Sequence, residues 1–146
     1  MKKVFLLLIT AIVVLSGCEF NTTKIIDGAE MYSDEITAKP SNWKTSGISG
    51  EQGSYVYQEF EFKEINREVL KRGAVLVYLI DADNRDNQLP YVHSFETGRD
   101  IVTENIRFEV ERGLVTIVVT WDDFKLYDID ENLKFKVCII YPSDED

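Results

Sequence analysis

Histidine is nearly missing from this sequence: among 146 residues it occurs once, at His93. Nucleophilic triads, imidazole acid-base catalysis and most zinc sites draw on histidine, so that single count removes most enzyme classes. The strings that cradle phosphate or build common catalytic sites are missing too, with no P-loop, Gly-x-Gly-x-x-Gly, His-Glu-x-x-His or Gly-x-Ser-x-Gly. Lysine and arginine never run three together and number 16 against 26 acidic residues, a formal net charge of −10. Phosphate backbones and anionic lipid surfaces repel such a chain, which argues against nucleic acid as a partner. Cysteine occurs only at Cys18 and Cys138.

The apolar run Val4–Leu15, broken only by Thr10, is twelve residues long. At about 1.5 Å per residue it falls well short of the roughly 30 Å hydrocarbon core of a bilayer, so it does not read as a permanent transmembrane helix. Lys2 and Lys3 precede it and Leu15-Ser16-Gly17-Cys18 follows, which is the order of an export signal. The last four residues resemble a bacterial lipobox, in which small residues fit the peptidase cleft and the thiol accepts a diacylglycerol. The expectation is a signal peptide over residues 1–17 and lipidation of Cys18, with palmitate or similar acyl chains fixing the mature protein to a membrane. Without Lys2 and Lys3 the mature chain carries about −12. Lipidation of Cys18 leaves Cys138 alone, so the mature chain forms no internal disulfide. The thiol of Cys138, in Phe135-Lys136-Val137-Cys138-Ile139-Ile140, reads as a small buried hydrophobe.

Residues 18–33 are mostly small and polar and suit a tether, with a single folded domain expected over 34–146. Seven segments have strand composition: 34–39, 54–62, 73–81, 88–95, 101–110, 113–121 and 133–141. In 55–62, alternation puts Val56, Gln58, Phe60 and Phe62 on one face and Tyr55, Tyr57, Glu59 and Glu61 on the other. Ile106, Phe108 and Val110 alternate with Asn105, Arg107 and Glu109, and Glu111-Arg112-Gly113 supplies a hairpin turn. Ala74–Ile80 and Leu114–Val119 are almost continuously apolar, as strands covered on both faces are. Lys63–Gly73 carries Ile65, Val69 and Leu70 on a helical stripe, with Glu64 early, Lys71 and Arg72 late, and a terminal glycine. The fold class expected is mainly β: an antiparallel sandwich of about seven strands with one short crossover helix. Gly47, Gly50 and Gly53, three apart but without proline, read as a flexible loop.

Arg72-Gly73-Ala74-Val75-Leu76-Val77-Tyr78, Leu89-Pro90-Tyr91, the closing Phe135-Lys136-Val137 strand, and the tryptophan loop Ser41-Asn42-Trp43-Lys44 ahead of an aromatic strand resemble a group of uncharacterised Bacteroidetes lipoproteins. The resemblance covers roughly residues 35–141. It implies an outer-membrane lipoprotein with a β-rich domain, no assigned activity and no catalytic residues to carry over. Some members place collagen-like Gly-X-Y tracts between lipid and domain; this chain has none, so a trimeric stalk is not carried over.

Three places could bind something. Asp81, Asp83 and Asp86, in Asp81-Ala82-Asp83-Asn84-Arg85-Asp86-Asn87, gather oxygen donors of the kind calcium takes. The loop departs from an EF-hand, with Asp86 at the glycine position and Val92 at the bidentate glutamate position, and a solvated turn explains the same residues. Trp43, Tyr55, Tyr57 and Trp121 could form an aromatic platform for sugar rings, although tryptophans at strand ends also plug cores. His93 alternates with Tyr91 and Phe95, opposite Val92 and Ser94, as a strand histidine. No metal, cofactor or catalytic residue is assigned and no enzyme is expected; a carboxylate-based hydrolase would need a cleft to select two of the many acids. Two classes of function stand: a membrane-anchored binding module for a protein or glycan at the cell envelope, and a structural or accessory envelope protein with no small ligand. Which face of the membrane carries it is left open.

Overall fold

The computed structural model describes residues 24–26 and 29–142. The expected signal and Cys18 lie outside them. The chain forms two five-stranded antiparallel sheets packed face to face. The first has the order β1 (Lys24–Ile26), β2 (Ala29–Ala38), β10 (Leu133–Pro142), β5 (Ala74–Ile80) and β6 (Asp86–Gln88). The second runs β3 (Lys44–Ser46), β4 (Tyr55–Glu61), β9 (Leu114–Trp121), β8 (Asp100–Glu111) and β7 (Tyr91–Thr97). The antiparallel sandwich is therefore as the sequence predicts, and each of the seven expected segments holds one of its longer strands. The three further strands, β1, β3 and β6, are three residues each. β2 begins at Ala29 rather than Asp34, so residues 29–33 of the expected tether pair with β10.

Alternation dictates which side chains meet. Phe135, Val137 and Ile139 of β10 and Val115, Ile117 and Val119 of β9 are all fully buried. They form the centre of a core that Val56, Val77, Leu79, Val102 and Ile106 extend. Each such side chain contributes about 1.5–3 kcal/mol on leaving water. Val118 is also buried although it faces outward, beside Tyr57 on one neighbouring strand and Arg107 on the other. The expected two-sided cover of β9 thus comes partly from long side chains of the same sheet. The 111–113 turn closes β8 onto β9 with Glu111 opposite Leu114 and Gly113 at φ +76°.

The crossover from β4 to β5 contains α1 (Arg67–Arg72), shorter than the 63–73 stripe predicts. Asn66 sets its start, since its side chain accepts hydrogen bonds from the backbone N–H groups of Glu68 and Val69. Ile65 and Val69 enter the core, but Leu70 is 48% exposed, a correction to the three-residue stripe. Gly73 ends the helix for a different reason than a left-handed cap. Its φ is −98°, and a Cβ there would lie 2.3 Å from the Ile140 carbonyl oxygen, so glycine is needed for close approach.

Candidate functional site

At one end of the sandwich the sheets part around a cleft of about 730 Å³. Its second-sheet wall is set by register. His93 on β7 stands opposite Glu104 on β8, which stands opposite Trp121 on β9, so three side chains form one row across three strands. Tyr91 and Phe95 flank His93 on the same inward face, as the sequence alternation predicts. Leu79, Ile80 and Asp81 supply the first-sheet wall, and the connection from β9 to β10 adds Asp128, Asp130 and Glu131.

Glu104 is the chemically unusual member. Its side chain retains only 15% exposure. Oε2 accepts a 2.9 Å hydrogen bond from the Trp121 indole N–H. Oε1 has no hydrogen bond among the described residues and faces His93 Nε2 at 3.7 Å. Burial pushes the carboxyl above its ordinary value of 4.5, against the opposing pull of His93 and the Trp121 hydrogen bond, and nearby Glu131 pushes the same way. The Nδ1 of the His93 imidazole is buried without a hydrogen-bond partner among the described residues.

Aromatic rings continue the wall from this row. His93 and Phe95 have centroids 6.2 Å apart, Phe95 meets Tyr127 edge-on at 5.9 Å, and Tyr127 meets Trp121 at 5.4 Å. With the Trp121–Glu104 hydrogen bond and the Glu104–His93 contact this closes a circuit of five side chains. The Tyr127 hydroxyl donates to Asp123 Oδ2 at 2.7 Å, which fixes the ring and raises the phenol above its ordinary value. Four acidic side chains and one lysine, Lys134, stand around the cleft besides Glu104 and His93. Among the described residues the lining includes no serine, threonine or cysteine.

The structure disperses the residues that the sequence singles out. Trp121 is 3% exposed and belongs to the core; it touches the site only through Glu104. Trp43 is half-buried against the core, far from presenting a flat face to solvent. Tyr55 and Tyr57 lie on the outer face of the second sheet, with ring centroids 5.7 Å apart, and Lys44 covers Tyr57 while pairing with Glu59 at 2.6 Å. The four aromatics do not assemble into one platform, since alternation sends the tyrosines outward and the tryptophans inward. The three aspartates of the 81–87 loop are likewise engaged separately. Asp81 Oδ1 accepts from the backbone N–H groups of Asp83 and Arg85, and Oδ2 accepts from Arg85 Nε. These bonds, the Arg85 backbone N–H first, hold the Asp81 carboxyl below its ordinary range. Asp83 pairs with Arg85 and Asp86 with Lys136. Among the described residues no three metal-ligating side chains converge.

Glu104 and the cleft are what sequence reading misses, and a signal for them exists. In β8 the inward positions are Val102, Glu104, Ile106, Phe108 and Val110, so one charge interrupts an otherwise apolar face. Comparison with family models, curated proteins and solved structures finds no match.

Proposed function

We propose that the chain is a lipid-anchored binding module of the bacterial cell envelope, held to the outer membrane through Cys18, and that its ligand enters the cleft beside Glu104. The observation that carries the binding half is Glu104 itself: a carboxylate mostly withdrawn from water on the wall of a cleft, with one oxygen tied to a core indole and the other without a hydrogen bond among the described residues. Burying a carboxyl in that way costs stability, which a folded domain recovers when a ligand completes the oxygen's hydrogen bonding. A concave site that joins apolar side chains, here Leu79, Phe95 and Ile106, to polar groups is the usual form of a small-ligand site. The anchoring half is supported by the order Lys2-Lys3, apolar run, Leu15-Ser16-Gly17-Cys18 and by the resemblance to Bacteroidetes lipoproteins over 35–141.

Each half has its own test. Cells fed labelled palmitate incorporate it into the wild-type chain and not into Cys18→Ser; label in both variants contradicts the anchor. An array of glycans, short peptides and small amines, screened against the full-length chain, yields at least one saturable ligand that Phe95→Ala loses. Absence of any saturable ligand, or equal binding by Phe95→Ala, contradicts the cleft.

A further inference from the structure

We infer that the cleft selects an organic cation, an ammonium or guanidinium group on an apolar body, with Glu104 Oε1 as its counter-charge. This rests on the reading of the cleft as a binding site. Three independent features of the cleft agree on it.

The first is charge. Glu104, Asp128, Asp130 and Glu131 stand on the same cleft, with Lys134 and the His93 ring. Asp81, also on the cleft, has its charge answered by Arg85, so the other four determine the field. A partly enclosed cavity with low-dielectric walls focuses such a field and concentrates cations within it. The second is the vacancy in hydrogen bonding. Glu104 lines the cleft, and its Oε1 has no hydrogen-bond donor among the described residues, the His93 ring standing 3.7 Å away. An ammonium or guanidinium supplies the charge-assisted donor that the oxygen lacks, where a sugar hydroxyl supplies only a neutral one. The third is the wall. Phe95 and Ile106 border the same space with Leu79 and Ile80; these accept the apolar body of the ligand, and the Phe95 ring attracts a cation directly.

Two sources offer this chemistry, a free amine and a lysine or arginine side chain on a polypeptide. Isothermal titration of the full-length chain at pH 8 separates them. The probes are benzylamine, its neutral isostere benzyl alcohol, methyl glucoside, and a capped Ala-Ala-Lys-Ala-Ala peptide. Benzylamine binds and benzyl alcohol does not. Glu104→Gln weakens benzylamine at least about tenfold, while the glutamine carbonyl still accepts the Trp121 indole N–H and keeps the wall in place. Raising salt from about 50 to about 500 mM weakens benzylamine severalfold. Should Glu104→Gln not fold, Glu131→Gln serves instead and weakens benzylamine by about threefold through the loss of field alone. Tighter binding of the lysine peptide than of benzylamine assigns the cation to a polypeptide; equal or weaker binding assigns it to a free amine. Equal binding of benzyl alcohol, or full affinity in Glu104→Gln, overturns the inference. Binding of methyl glucoside without benzylamine overturns it as well but leaves the cleft standing as a binding site. Failure of every probe removes the cation and passes the question to the wider array.

Discussion

Gln58 lies on the inner face of β4 between Val56 and Phe60, only 6% exposed, and its side-chain oxygen has no partner among the described residues. An unpaired amide oxygen in a core costs about 1–3 kcal/mol. Gln58→Met keeps the volume, removes the orphan, and raises Tm by about 3 °C in a thermal melt; a fall in Tm means the amide makes a bond worth more than its desolvation. Glu104 carries the same kind of cost as a charge. Its carboxyl is raised by burial, so the folded state disfavours the ionised form. The stability tied to its proton is fully present below pH 4.5 and is lost as pH rises through the raised value. Glu104→Gln therefore melts higher than wild type at pH 7, and the gap closes by pH 4. An equal gap at both pH values contradicts the burial account. Both residues were legible as anomalies, since each places a polar side chain in an inward slot of a strand whose pattern is otherwise clear. What the sequence could not say is that one slot lies in the closed core and the other at the open end, because that depends on which strands pair three elements away.

Elements were legible in proportion to their length. β8, β9 and β10 carry eight to twelve residues, enough for alternation in β8 and the long apolar runs of β9 and β10 to stand out. β1, β3 and β6 carry three each and include Lys24, Lys44 and Asp86; their pairing comes from neighbours, with no periodicity to read. The helix was legible from its charges and terminal glycine, but its exposed Leu70 was not, since only the angle at which α1 meets the sheets decides which of two adjacent apolar residues faces inward. Gly73 shows the same limit, its reason being a carbonyl 67 positions away in sequence. Gly73→Ala forces that contact apart and destabilises the fold by about 2 kcal/mol or more, read as a drop in the denaturant midpoint. A variant as stable as wild type contradicts the close approach. In the 81–87 loop, Asp81 already serves the backbone of its own turn, so millimolar calcium leaves Tm where it is; a rise of several degrees would show that the aspartates can regroup around an ion.

At the scale of the whole molecule, strand composition sufficed for the sandwich, but not for the site. The aromatics that look exposed in sequence are divided by alternation between the core and the opposite face of the sheet. The cleft is instead built from His93, Phe95, Glu104 and Ile106 on the second sheet and Leu79 and Ile80 on the first, a grouping that exists only once the sheets are stacked. Tryptophan offers a direct reporter of it. The chain has two, and only Trp121 donates its indole N–H to Glu104, while the Trp43 indole N–H has no partner among the described residues. Proton–nitrogen correlation spectra of the full-length chain, recorded while the array ligands are titrated in, show both indole signals at once. A ligand in the cleft shifts the Trp121 signal saturably and leaves Trp43 in place. A Trp121 signal that stays fixed against every ligand, or that moves only together with Trp43, contradicts a binding site at this end of the sandwich.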